Sequence, residues 1–209
     1  MFANVRQDLA RYGRNFRQKA AAVFFSPGAW AVLGYRFRRW VHGLPLPLRW
    51  LLKIPAVLMK VIVDITTNIQ LPETAPIGPG LFIAHTGYIV LSSDVVMGRH
   101  CTLTQGVTIG HAGGGGKERR SPVLGDRVYV GPNAAIIGSI EIGHDALIGV
   151  GAVVTRSVPP CGVVAGNPAR LISYKGSFDL IDYRGKEDDA DRLAALEEAQ
   201  RLAASPVDS

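Results

Sequence analysis

An aliphatic residue returns every sixth position through the middle of this chain, at Leu124, Val130, Ile136, Ile142, Ile148 and Val154. Four residues after each stands a second small or branched apolar side chain: Val128, Ala134, Ile140, Ala146, Ala152 and Val158. The same beat runs upstream through Ile65, Leu71, Ile77 and Ile83, slips by two, and resumes at Leu91, Met97, Leu103 and Ile109. An amphipathic helix needs apolar spacings of three and four, and a half-buried strand a spacing of two, so neither explains a period of six. Units of six build short strands joined by tight corners, three units to a triangular coil, with the aliphatic residue pointing into a prism. Residues 65–172 hold roughly five such coils. Two irregularities interrupt them: the phase slip just after His85, and a glycine-rich insertion at 110–123.

The flanks follow other rules. Residues 1–64 form a basic N-terminal helical segment, in which the first sixty residues hold eleven Lys and Arg against Asp8 alone, while the whole chain carries only +6. Such a segment seeks an anionic partner. No helix-turn-helix, zinc-finger or RNP pattern is present, so nucleic acid is not expected. A membrane surface fits better: Val5, Leu9, Tyr12 and Phe16 recur at helical spacing, and "LPLPLRWLLKIPAVLMKVIV" (44–63) mixes tryptophan, leucine and spaced cations. Its charges and prolines argue against a spanning helix. A helical subdomain packed on its neighbours is the competing reading of the same pattern. Residues 173–209 form a C-terminal extension with a helix over 187–203. Cys101 and Cys161 are the only thiols, which offers no disulfide framework and suits a reducing, cytoplasmic setting, with the basic segment at the inner face of the membrane.

The stretches "GLFIAHTG", "TQGVTIG" and "GVVAGNPARLI", set within this repeat, resemble the hexapeptide-repeat acyltransferases, and among them the serine acetyltransferases. "SPGAWAVLGYRFRRW" resembles the helical lead-in of that family, and "ISYKGSFDLIDY" is similar to the branch that O-acetylates sugars during exopolysaccharide synthesis. The resemblance implies a mainly β fold, a left-handed parallel β-helix with a short N-terminal α-helical segment and a C-terminal helix. It also implies acetyl-CoA as donor and a homotrimer with active sites shared between neighbours.

Transfer of an acetyl group from a thioester to an alcohol requires a base that takes the hydroxyl proton and returns it to the departing thiolate. The family histidine falls on His85, beside the distorted corner. The carboxylate that orients it falls on Gln70, which can fix a tautomer but cannot offset a charge; Glu73 is the nearby candidate to supply one. Two acceptor-binding positions also depart from the family, to Ala84 and Ser121, whereas Arg120 keeps its place. Each lost polar contact should cost a small zwitterion about 1–3 kcal/mol. These departures favour a sugar or exopolysaccharide hydroxyl over serine, with serine O-acetylation as the alternative and a non-catalytic scaffold as a third reading. His111, on the insertion, is the rival base or a donor contact. For the donor, the matching positions are Gly110, Pro132 and Val150, with Gly166 and Arg170 toward the adenine end. Lys117 and Arg119 could meet its phosphates. No histidines with metal spacing are evident, so no metal is expected.

Overall fold

The computed structural model describes residues 1–111 and 121–203. Four helices open the chain: α1 (Phe2–Tyr12), α2 (Phe16–Phe25), α3 (Pro27–His42) and α4 (Leu46–Thr67). Short strands follow: β1 (Ile69–Gln70), β2 (Phe82–Ile83), β3 (Ile89–Leu91), β4 (Val96–Met97), β5 (Thr102–Leu103), β6 (Thr108–Gly110), β7 (Val123–Leu124) and β8 (Tyr129–Val130). Then come β9 (Ala135–Ile137), β10 (Glu141–Ile142), β11 (Leu147–Ile148), β12 (Val153–Val154), β13 (Val163–Ala165) and β14 (Arg170–Ser173). A last helix, α5 (Ala190–Ala203), closes the described chain.

The strands stack into three parallel faces of a left-handed β-helix. The first face is β1, β3, β6, β9 and β12. The second is β4, β7 and β10, extended by single bridges at Ile77 and Val158. The third is β2, β5, β8, β11 and β13, to which β14 adds antiparallel. The registers match residues one coil apart, as Leu103 with Val130 and Ile109 with Ile136. The six-residue beat is the core: Ile83, Leu103, Val130, Ile136, Ile142 and Ile148 are each at most 2% exposed. Each such side chain removed from water contributes about 1.5–3 kcal/mol.

Ile65 is the exception. It was the expected first beat, but it lies on α4 and is 71% exposed. The helix continues to Thr67 and ends where Asn68 adopts a left-handed conformation (φ 53°), so the coils start at Ile69. The N-terminal helix expected to run through Phe16 is also two helices. Asn15 and Gln18 form a capping box that starts α2 afresh and leaves Phe16 85% exposed. At the other end, α5 begins at Ala190 rather than 187.

The helices close the open end of the prism. A β-helix leaves the polar backbone of its first coil without a neighbour below, and unpaired buried carbonyls are costly. Arginines of α3 meet that need. Arg36 donates to the carbonyls of Ile77 and Gly78 at 2.7 and 2.6 Å, and Arg38 to that of Leu71 at 2.9 Å. Arg39 reaches the carbonyls of Glu73, Thr74 and Ala75, and Arg11 of α1 those of Gly80 and His100. Asp8, fully buried, accepts from Arg36 at 2.7 and 3.1 Å and from the Gly80 and Leu81 amides. Four of the eleven N-terminal cations are therefore used inside the fold rather than offered to a partner.

The C-terminal extension covers one edge of the prism. Arg127, 2% exposed, makes a bidentate pair with Asp145 at 2.8 Å on both oxygens, and Ser177 Oγ donates to the Arg127 carbonyl at 2.6 Å. Burial pulls the Arg127 guanidinium down, but the Asp145 carboxylate outweighs it and the net shift is upward. Tyr183 stacks on His100 with ring centroids 4.0 Å apart, and Cys161 packs under α5 against Ala195 and Ala199. His100, Arg127, Asp145 and Cys161 all lie in the corners between the second and third faces, which the extension thereby covers.

Candidate active site

His85 sits in the corner that leads from β2 on the third face to β3 on the first. The corner needs its glycine: Gly87 has φ +116°, a conformation L side chains rarely adopt. Below the corner, the Ile89 amide donates to the Asn68 carbonyl at 3.1 Å; above it, the Gly106 amide donates to the Gly87 carbonyl at 2.8 Å. The strand entering it is held by Tyr12, whose hydroxyl accepts from the Ile83 amide at 3.1 Å. It is also held by α3, which comes so near at Gly28 that an added Cβ would lie 2.4 Å from the Ile83 carbonyl oxygen. The backbone is fixed while the imidazole itself is exposed, with no hydrogen-bond partner among the described residues. A ring in that position is free to meet a hydroxyl.

The remaining residues fall into two groups. Pro132 and Val150 stand on the same edge as His85, in turns from the third face to the first; Gly166, in the turn between β13 and β14, continues that edge through its contact with Val153. The Gly151 amide donates to the Pro132 carbonyl at 2.8 Å and the Val153 amide to the Gly166 carbonyl at 3.0 Å, so successive turns stack in register. At roughly 4.8 Å per coil, the four steps from His85 to Gly166 span about 19 Å. The sole polar backbone atom of Pro132 is thus already in use, with one lone pair left. Val150 is 72% exposed, and Gly166 and Arg170 are exposed.

Gly110, His111 and Ser121 lie at the far end of the first face, on the edge toward the second. His111 is half-buried, and its Nδ1 has no hydrogen-bond partner among the described residues. Ser121 is 5% exposed and donates from its hydroxyl to Asp94 at 2.6 Å and from its amide to the same carboxylate at 3.1 Å. The Ser121 hydroxyl holds the Asp94 carboxyl below its ordinary range. Ser121 therefore anchors the end of the insertion instead of presenting a free hydroxyl. Arg120, Lys117 and Arg119 lie outside the described residues.

Neither candidate partner for the imidazole forms a pair with it. Gln70, exposed, lies on the first face beside Val90, with no side-chain hydrogen bond among the described residues. Glu73 is turned elsewhere: its carboxylate accepts from Arg38 at 3.3 Å at the closed end of the prism. The structure thus gives Glu73 to Arg38 rather than to His85, because Glu73 lies on the edge between the first and second faces, where α3 docks.

Two features are set by the fold and not by any sequence motif. Gln105 lies one coil above His85 on the same edge, next to Gly87, with its side-chain oxygen buried and unpaired among the described residues. The motif "TQGVTIG" held it, but only the stacking places it there. A cavity of about 1020 Å³ also opens between α1, α2, β2 and residues 180–187. It reaches Ala84, and its walls carry Arg14 and Lys19 as well as Asp182 and Glu187. Among the described residues no group of three or more His, Cys, Asp or Glu could hold a metal ion.

Residues 121–156 match the family model described as "Bacterial transferase hexapeptide (six repeats)". Among curated relatives, the chain is 36% identical over 151 residues to a serine acetyltransferase of Mycobacterium tuberculosis, covering 72% of this chain and 62% of the relative. It is 34% identical over 157 residues to the serine acetyltransferase of Helicobacter pylori, covering 75% of this chain and 88% of the relative. Among solved structures, Brucella abortus serine acetyltransferase in complex with coenzyme A superposes with a TM-score of 0.70 at 28% identity, over 82% of this chain and 67% of that one. The chain thus spans about three fifths of the length of the mycobacterial relative. These similarities overturn the expectation of a sugar or exopolysaccharide acceptor. Missing contacts at Ala84 and Ser121 bear on affinity, and the cavity beside Ala84 carries charges that no local motif announced.

Proposed function

Since the chain belongs to the serine acetyltransferase family, we propose that it transfers an acetyl group from acetyl-CoA to the hydroxyl of serine, with His85 as general base. His85 Nε2 or Nδ1 takes the hydroxyl proton as the serine oxygen attacks the thioester carbonyl. The C–S bond then breaks, and the imidazolium returns the proton to the leaving thiolate, giving O-acetylserine and coenzyme A. No covalent enzyme intermediate is needed, which agrees with Cys101 and Cys161 being buried and, through that burial, both pushed up to about 12.

The observation that carries this reading is the exposed imidazole at the head of an edge of stacked turns. Pro132, Val150 and Gly166 on that edge offer backbone groups over about 10 Å, beginning two coils above His85, so that donor and base share one edge about 19 Å long. The cavity at Ala84 suits the acceptor, because Lys19 and Glu187 on its walls, beside the Arg14–Asp182 pair at 3.6 Å, supply both signs of charge that a zwitterion needs. Gly110 and His111 lie one face away from His85. A homotrimer that sets the insertion edge of one protomer against the His85 edge of the next would bring the two groups together.

The test is thiol release from acetyl-CoA by the purified protein, with serine and with a panel of sugars as acceptors. Turnover with serine, lost in His85→Ala by about 10²- to 10⁴-fold, is the expected result. Turnover with sugars alone, or undiminished turnover in the variant, would refute the proposal.

A further inference from the structure

The outer side of α4 is the largest feature that the proposed chemistry leaves unused. This helix packs inward through a narrow stripe that includes Ala56, Val63 and Thr67, against α3 and β1. Its opposite side carries Trp50, Leu51, Ile54, Leu58, Ile62 and Ile65, exposed by 66, 71, 71, 57, 61 and 71%. At about 100° per residue these fall within one half of the circumference, and no charged residue lies among them. A helix on a globular surface normally turns its polar side to water. Here the order is reversed, and an apolar face this long marks an interaction surface.

The cations of α4, Arg49, Lys53 and Lys60, all lie along one flank of that face, between it and the buried stripe. Lys53 places its ammonium 4.8 Å from the centre of the Trp50 ring, Lys60 contacts Asp64, and Arg49 contacts His42. Arg6 and Arg17 on α1 and α2 add exposed positive charge. Apolar side chains outward, a tryptophan near one end and lysines whose stems can reach back toward headgroups are the features of a helix lying in a bilayer interface. A two-fold contact between copies of α4 fits poorly, since antiparallel helices would set Lys53 of one against Lys60 of the other with Asp64 as the only acidic residue of the helix. No helix among the described residues is long and apolar enough to cross a membrane.

We infer that α4 docks this protein on an anionic lipid surface, its Trp50–Ile65 face entering the headgroup and upper acyl region. The binding is peripheral: apolar contact supplies the anchor and the N-terminal cations supply attraction that salt weakens.

Vesicle co-sedimentation of the full chain tests this, with phosphatidylcholine alone and with added phosphatidylglycerol. The protein should sediment with the anionic vesicles and be released in part by salt. Replacing Ile54, Leu58 and Ile62 together by Gln should lower the partition coefficient by about tenfold or more, with the circular dichroism spectrum unchanged. Lys53→Glu, a single exposed change, should weaken binding severalfold to the anionic vesicles only. Absence of wild-type binding overturns the inference, as does equal binding by the triple variant. A triple variant that keeps its vesicle affinity but loses particle mass in light scattering would assign the face to a second copy of the chain instead.

Discussion

At the scale of single residues, the proposed chemistry turns on His85 and tests Gln70. The resemblance places the orienting carboxylate at Gln70; on the proposed mechanism, the imidazolium formed during proton transfer would then lack a negative charge supplied from residue 70. Gln70→Asp should raise kcat with serine by roughly fivefold, corresponding to about 1 kcal/mol at an exposed site. Unchanged kcat in a thiol-release assay would mean that residue 70 does not face the ring. A second histidine gives a prediction about stability. Burial, aided by Arg11 and Arg99, lowers the His100 pKa to about 4. The folded state therefore holds fewer protons than the unfolded state between that value and the ordinary one. Stability is full above pH ~6.5 and falls as the pH drops toward 4, by on the order of 1–3 kcal/mol. His100→Asn, which tolerates the left-handed backbone at φ 58°, should remove that part of the pH slope in urea unfolding. The His100 environment is not visible in the sequence, because Arg11 and Arg99 come near the ring only in the fold.

At the scale of elements, the helical segment and the first coil depend on each other. Asp8 and Arg36 join α1 to α3, and both are bonded to the backbone of residues 77–81. Asp8→Ala would leave Arg36 buried and uncompensated, at a cost of about 3–5 kcal/mol. Chemical denaturation should report it as a lower midpoint, whereas a loss under 1 kcal/mol would mean that water readily replaces the carboxylate. The same contacts explain why the positive charge of residues 1–60 overstated what is free for a partner. Arginines cannot be sorted by composition into those that cap carbonyls and those that face solvent. The sorting depends on which face of α3 meets the prism, and that face is set only when α3 docks at Gly28 and Tyr35.

For the whole molecule, the residues of the proposed site fall on two edges of one prism. His85, Pro132, Val150 and Gly166 share an edge, while Gly110, His111 and Ser121 share another. Light scattering should find a particle of three chains, and a monomer with full activity would remove the argument for a shared site. The third edge is closed to this role by Ser177, Tyr183 and α5, which assigns the C-terminal extension a structural task that its sequence did not disclose.

The hexapeptide beat by itself determined the β-helix, the inward residues of nearly every coil and the corner that bears His85. Those depend on a local period, and a period can be counted along the chain. Its one failure, Ile65, arose because a helix can carry an aliphatic residue at the same spacing by coincidence, and only the cap at Asn68 marks the change. The tertiary structure decided the rest: that Glu73 belongs to Arg38, that Ser121 belongs to Asp94, that Gln105 stands over the His85 corner and that α4 turns its apolar side outward. Each of these is a pairing between residues distant in sequence or a choice of which face is covered. Such choices are made by the packing of whole elements, because burial and hydrogen bonding act on what is adjacent in space.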